Sequence, residues 1–143
     1  MPELHVRHAY PRDADTVWQR IRDFGDIQSW LPGVTGCQVQ GEGVGAIRTV
    51  SVMDGSQVRE RLERFDDAQR LFSYSIIEAP GMNSSHNYLA TVQVKPNDDG
   101  GCEVHWSAHF DAGDTAAEKV EKLRLRAEKM YAFCLANLAG LLP

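Results

Sequence analysis

One glutamate on an otherwise apolar strand face is the residue in this sequence with the clearest potential for chemistry. Glu60 lies between Arg59 and Arg61. Because successive side chains of a strand point to opposite faces, Glu60 shares the inward face with Leu62 while both arginines point outward. A buried carboxylate is costly without a cation, and Arg48 on the preceding predicted strand can supply one. Such a pair can orient a polar group of a ligand or take part in proton transfer, or it can simply join two strands as a structural ion pair.

The loop between these two strands determines which residue lies opposite Glu60. A two-residue Asp54-Gly55 hairpin would place the odd-numbered residues of the first strand opposite the even-numbered residues of the second. A three-residue loop from Asp54 to Ser56 would instead place Val50 opposite Glu60, with Arg48 diagonally across. We favour the three-residue loop because it gives the carboxylate a positive partner.

Strand alternation also predicts which other side chains point toward the core. Even-numbered positions are largely apolar or aromatic on the strands that contain Tyr74, Tyr88 and Trp106, whereas odd-numbered positions are mostly polar. Glu60, its arginine and Tyr88 then form a polar cluster in an otherwise apolar cavity, and His86 lies near the mouth of that cavity. The candidate ligand-binding residues are Arg48, Val50, Glu60, Leu62, Tyr74, His86, Tyr88, Trp106 and Met130. No catalytic residue is assigned.

The spacing of the histidines and cysteines along the sequence does not indicate a metal site or a disulfide. His105 and His109 would lie about 13 Å apart along one strand, which is too far to share an ion. The three cysteines, Cys37, Cys102 and Cys134, are far apart and include no CxxC pair, which argues against disulfides and structural zinc. We therefore expect neither a metal nor another cofactor.

Composition narrows the class of protein further. Twenty acidic residues against 15 basic ones give a net charge of -5, and no run of lysine and arginine offers a nucleic acid its phosphate contacts. The N-terminus has no apolar segment typical of a signal peptide, and no 18 apolar residues follow one another. We expect one cytoplasmic domain over residues 1–143, long enough to bury a core, with no membrane span.

The predicted elements form an α+β order. Leu4 to Tyr10 alternate as in a strand, and two short amphipathic helices follow, up to Pro32-Gly33. Val34 to Asp111 contain six apolar runs separated by turn signals, which is typical of an antiparallel meander. Thr115-Ala-Ala-Glu118 has the pattern of a capping box, and the apolar residues behind it recur at helical spacing to about Leu141. We expect a curved seven-stranded sheet wrapped around this C-terminal helix, with a cavity between the two.

Four segments in the correct order carry a family resemblance. They are DFGDIQSWLPGV from Asp23, RERLERFDDAQRLFSYSIIE from Arg59, NYLATVQV from Asn87 and EVHW from Glu103. With these segments the sequence resembles the Bet v 1-like or START-like superfamily (SRPBCC), in its bacterial polyketide cyclase/dehydrase branch. The resemblance implies a helix-grip fold that encloses a hydrophobic cavity for lipids, polyketides, or sterol-like or hormone-like ligands.

Two pocket positions also resemble the plant abscisic acid receptors of the same superfamily. Glu60 and Tyr88 match the receptors' ERL glutamate and NY tyrosine. The lysine that those receptors place against the hormone carboxylate would fall near Thr35, and the short loop from Met53 to Ser56 replaces their SGLP gate. The resemblance therefore does not carry hormone-receptor function over to this sequence.

Three functions from different classes fit these features. The leading hypothesis is binding of a small hydrophobic ligand, such as a lipid or polyketide, in the internal cavity. The alternative is a polyketide cyclase, aromatase or dehydratase in which Arg48 and Tyr88 polarise a carbonyl while Glu60 moves a proton. The third is a protein-interaction adaptor whose cavity is filled by its own aromatic side chains. The sequence leaves the oligomeric state open, a homodimer included.

Overall fold

Strands are the most abundant regular elements of the chain, which this computed structural model describes over all 143 residues. The strands are β1 (Glu3–Tyr10), β2 (Val34–Gln40), β3 (Ile47–Val52), β4 (Gln57–Asp66), β5 (Leu71–Ala79), β6 (Met82–Asn83), β7 (Leu89–Pro96) and β8 (Cys102–His109). The helices are α1 (Ala14–Ile21) and α2 (Ala117–Ala139), with 3₁₀ helices at Phe24–Ser29 and Ser84–His86. The expected α+β helix-grip architecture, with two short helices between the first two long strands, is confirmed.

The long strands form one antiparallel sheet in the order β1-β8-β7-β5-β4-β3-β2. The meander from β2 to β8 is the predicted one, and β1 returns to pair with β8 along its whole length. The short β6 pairs only with the end of β5 and is the one strand beyond the seven expected. No helix of the chain is long and apolar enough to cross a lipid bilayer.

The side-chain alternation predicted for the inner face of the sheet is confirmed on β7 and β8. On β8, Trp106 and its even-numbered neighbours are buried, while the odd-numbered positions between them are partly exposed. The same holds on β7, where Val92 is buried, whereas on β5 the four consecutive residues from Leu71 to Tyr74 are all buried. Tyr88 and Phe110 belong to the same core. A single strand register therefore directs the aromatic residues toward α2.

Helix α2 buries one face of its C-terminal half. Tyr131, Cys134, Leu135 and Leu138 are buried, whereas Phe133 is 64% exposed. The sheet covers one side of this segment. The helix thereby closes the concave face of the sheet near β1 and β8 and leaves a gap toward β3 and β4.

The prediction of a capping box at the start of α2 is wrong. The helix begins at Ala117, and its N-cap, Ala116, makes no side-chain hydrogen bond. The backbone N–H of Thr115 is bonded to the carbonyl of Ala112, so this residue belongs to the preceding turn. Thr115 therefore precedes the cap position from which its hydroxyl could reach the first turn of the helix.

Candidate functional site

Arg48 and Glu60 lie directly opposite each other on β3 and β4. The predicted register, with Val50 opposite Glu60, is wrong by two residues, and Val50 instead faces Val58. The backbone N–H of Val52 bonds to the carbonyl of Ser56, so the loop is Met53-Asp54-Gly55. Gly55 has a φ of 86° and occupies the third loop position, where a left-handed backbone is required. The three-residue loop is correct, but it begins one residue earlier than predicted.

The Arg48 guanidinium is held by two hydrogen bonds within the protein. Its Nε donates to Glu60 Oε1 at 2.7 Å, and its Nη1 donates to the backbone carbonyl of Phe24 at 2.9 Å. The guanidinium carbon lies 4.0 Å from the centroid of the Phe24 ring and 5.0 Å from that of Tyr74. Arg48 is only 3% exposed and Glu60 only 8%, so the ion pair is almost completely removed from water. The pair joins the first 3₁₀ helix to β3 and β4.

An apolar cavity of about 460 Å³ lies on the other side of Glu60. Eleven of its 15 lining residues are hydrophobic. The lining residues are Ile27, Leu31, Pro32, Gly33, Val34, Val50, Val52, Met53, Asp54, Val58, Glu60, Tyr74, Trp106, Met130 and Cys134. The Arg48 bond uses only Oε1 of Glu60, and no protein group donates to Oε2. This volume and lining are typical of sites that hold a small organic molecule.

Three buried phenols lie at or near the wall of this cavity. The hydroxyls of Tyr88 and Tyr131 are hydrogen-bonded to each other, and burial raises the pKa of Tyr88 to about 12. Burial also holds the pKa values of Tyr74 and Tyr131 well above their ordinary range. All three phenols are therefore neutral at physiological pH and can donate a proton to a hydrogen bond. Of the three, only Tyr74 lines the cavity.

Trp106 contributes an indole N–H that has no hydrogen-bond partner. Its ring stacks on Tyr131, with the centroids 3.9 Å apart and the planes at 7°. The residue is 3% exposed, and Nε1 is buried without an acceptor. Burial is the main cause of the raised pKa of Tyr74, and the nearby indole N–H of Trp106 acts in the opposite direction.

The structure brings five of the nine predicted ligand-binding residues to the cavity wall. These five are Val50, Glu60, Tyr74, Trp106 and Met130. Arg48 lies behind Glu60, and Leu62 is buried in the core beside a separate surface groove. Tyr88 points to Tyr131 and not to Glu60 as predicted. The ligand-binding roles of all nine residues stay predictions.

His86 lies at a different surface from the cavity. It is in the second 3₁₀ helix, where its Nδ1 accepts the backbone N–H of Asn83. It borders a polar depression together with Asp111 and does not contact the apolar cavity. The expected position near the cavity mouth is therefore wrong, because the chain from Met82 onward turns away along the end of β5.

The wall that closes the cavity opposite the sheet contains residues that were not predicted. Ile27 and Leu31 come from the first 3₁₀ helix and the loop after it, and Cys134 comes from α2. Val52 and Val58 were predictable, since they share the even-numbered parity of Val50 and Glu60. No local pattern indicates that the 3₁₀ helix would pack over the ends of β3 and β4.

A second, polar groove lies on the outer face of the sheet. It has a volume of about 610 Å³, and only three of its 12 lining residues are hydrophobic. His5 and His105 are hydrogen-bonded to each other there, and His105 also contacts Glu103. Nowhere in the chain do three or more His, Cys, Asp or Glu side chains cluster in a way that could hold a metal ion. The internal cavity is the better site for an apolar molecule because of its lining.

Comparison with known proteins supports the fold over the full length. Residues 1–142 match the family model described as "Polyketide cyclase / dehydrase and lipid transport". Abscisic acid receptor PYL7 of Arabidopsis thaliana is 32% identical over 84 residues, which cover 56% of this chain and 39% of the receptor. Abscisic acid receptor PYL2 of the same plant is 31% identical over 93 residues, which cover 62% of this chain and 49% of the receptor. The chain thus spans less than half the length of each receptor.

Solved structures of several bacterial proteins are similar to this chain over nearly their whole length. Protein XoxI of Bacillus cereus has a TM-score of 0.86 and 28% identity, with 99% of this chain and 96% of that chain covered. A Thermobifida fusca protein has a TM-score of 0.84 and 28% identity, with 97% and 91% covered. A Bacillus thuringiensis protein has a TM-score of 0.83 and 28% identity, with 98% of both chains covered.

Proposed function

The chain belongs to the polyketide cyclase/dehydrase and lipid transport family, and from this premise we propose that it binds one small, mostly apolar molecule in the cavity between β3, β4 and α2. The single observation that carries the proposal is the lining of this cavity, which is mostly apolar. Glu60 and Tyr74 are among its few polar groups, as is usual for sites that orient an apolar ligand.

Binding of a neutral fluorescent probe, N-phenyl-1-naphthylamine, tests this proposal. We expect saturable one-to-one binding to the wild type and at least about tenfold weaker binding to Val58→Phe, because the larger ring fills the cavity. Thr49→Phe is the matched control, since threonine has nearly the size of valine and Thr49 borders a polar depression outside the cavity. Absence of saturable binding, or equal weakening in both variants, would contradict the proposal.

The alternative function is a cyclase-, aromatase- or dehydratase-type enzyme that uses the same cavity. The observation in its favour is Glu60 Oε2, a carboxylate oxygen without a protein donor at an apolar wall, which is suited to proton transfer. Arg48 and Tyr88 are bonded elsewhere, so they do not provide the carbonyl polarisation expected from the sequence. Mass-spectrometric detection of a cyclised or dehydrated product from a polyketide-like substrate, lost in Glu60→Gln, would favour the enzyme.

We propose that the protein is located in the cytoplasm. We also propose that it does not bind nucleic acid. The free thiols of Cys37, Cys102 and Cys134 suit a reducing compartment, and the net charge of -5 opposes binding to phosphates. Localisation of a tagged chain and a gel shift with duplex DNA test these two statements. Light scattering would distinguish a monomer from a homodimer.

A further inference from the structure

Helix α2 exposes a stripe of cations that have no acidic partner within the protein. The cations follow one another at helical spacing, and we call them the basic stripe: Lys119, Lys122, Arg126 and Lys129. All four are exposed, and none takes part in an ion pair. Because the chain has a net charge of -5, the basic stripe is a local exception on an acidic protein.

The basic stripe lies on the side of α2 that borders the cavity. Met130 follows Arg126 by about one helical turn and lines the cavity. The acidic residues Glu121 and Glu128 lie on the opposite flank of the helix, where both are ion-paired with Arg124. The charges of α2 are therefore segregated, with the unpaired cations beside the cavity and the carboxylates away from it.

Exposed apolar side chains lie beside the basic stripe and at the opening of the cavity. Met53 is 80% exposed and Met130 is 49% exposed although both line the cavity, so they lie where it opens to solvent. Phe133 follows Lys129 by about one helical turn and is 64% exposed. Asp54 is the one exposed acidic residue of the cavity lining. Exposed apolar side chains next to lysines and arginines on a helix are typical of segments that lie on anionic bilayers.

We propose that this face of the protein docks on an anionic lipid bilayer. The basic stripe contacts the lipid phosphates and carboxylates, while Met53, Met130 and Phe133 insert between the headgroups. A bilayer fits this face better than an acidic protein, because the cations lie along the convex outer side of a helix, which suits a flat surface. The proposal rests on the function proposed above, since a docked opening lets an apolar ligand pass between lipid and cavity without crossing water.

Co-sedimentation with lipid vesicles tests the docking. In about 0.1 M salt, we expect the wild type to bind phosphatidylcholine vesicles that contain about 30% phosphatidylserine at least about tenfold more tightly than pure phosphatidylcholine vesicles, and to lose this preference in about 1 M salt. Lys122→Gln combined with Lys129→Gln should weaken binding to the serine-containing vesicles at least about tenfold, since each cation near such a surface contributes about fivefold. Arg7→Gln combined with Lys95→Gln is the matched control, because it removes the same charge from exposed positions on the outer face of the sheet, and it should weaken binding less than about twofold. Phe133→Ala should weaken binding about threefold to tenfold, because it removes an inserted ring.

The substituted side chains are all exposed, so circular dichroism and binding of N-phenyl-1-naphthylamine in solution should match the wild type in every variant. Equal binding to both kinds of vesicle, or equal weakening by the two double variants, would overturn docking through α2. Failure to bind either vesicle would overturn the lipid surface in favour of an acidic protein, and displacement from the serine-containing vesicles by duplex DNA would overturn it in favour of a nucleic acid. Saturable binding of N-phenyl-1-naphthylamine would leave the proposed function intact in each of these cases, whereas its absence would overturn the proposed function itself.

Discussion

Replacing Arg48 by methionine tests how strongly the buried ion pair supports the walls of the cavity. Methionine keeps much of the apolar length of the side chain but removes the guanidinium from between the Phe24 and Tyr74 rings. The change leaves the Glu60 carboxylate, which is 8% exposed, without its cation, and it leaves the Phe24 carbonyl without its donor.

The expected loss of unfolding free energy is about 3–5 kcal/mol, because removing one partner of a buried ion pair leaves the other charge uncompensated. For a chain of this length, that loss corresponds to a decrease in melting temperature of about 6–20 °C. Glu60→Gln should cost less, since its amide oxygen can still accept a hydrogen bond from Arg48. Because the two residues are in contact, the double variant should differ from the sum of the single variants by about 0.5–3 kcal/mol.

Urea unfolding followed by tryptophan fluorescence measures these free energies, with an unchanged m-value confirming that the same transition is compared. Arg61→Met is the matched control, because Arg61 lies next to Glu60 on β4 but points outward and forms no ion pair. A loss in Arg48→Met no larger than that in Arg61→Met, or strict additivity in the double variant, would refute the argument that the two charges depend on each other.

Three further predictions concern buried contacts of the tyrosines and of Gly101. The buried phenols should keep their protons to high pH, because burial raises the pKa of Tyr88 to about 12, whereas tyrosines of the unfolded chain lose their protons from about pH 10. The unfolding free energy should therefore decrease as the pH rises from about 10 to 12. Tyrosinate absorbance and urea midpoints measure the two effects. Tyr10→Phe should cost about 1 kcal/mol in a thermal melt, because the Tyr10 hydroxyl donates to the Leu135 carbonyl at 2.6 Å. Gly101→Ala should cost about 1–3 kcal/mol in urea unfolding, since the added Cβ would lie 2.6 Å from the Tyr10 carbonyl oxygen.

The sequence predicts the inner face of the sheet well, because side-chain alternation depends only on the local backbone. Tyr74 and Trp106 are buried as their parity requires, and Glu60 points inward between two outward arginines. The order of strands and helices follows equally from local turn signals and from the spacing of apolar residues. These features need no knowledge of distant contacts.

Features that depend on strand register or on packing between elements are harder to predict from the sequence. The loop that pairs Arg48 with Glu60 is set by Gly55, whose left-handed backbone fits only one loop position. The Tyr88 hydroxyl bonds to Tyr131 because of the rotation of α2 against the sheet, which helical spacing alone does not determine. Likewise, Ile27 becomes a cavity wall only through the docking of a 3₁₀ helix across the strand ends.

Native mass spectrometry of the purified chain, before and after addition of N-phenyl-1-naphthylamine, tests the central claim of a ligand-binding cavity most directly. We predict one non-covalently bound small molecule per chain in the wild type, either retained through purification or acquired from the probe, and its release on denaturation. Val58→Phe should show little or no such complex, whereas Thr49→Phe should resemble the wild type. A wild-type chain that carries no small molecule and binds no added probe, or a Val58→Phe variant that binds the probe as well as the wild type does, would contradict the claim.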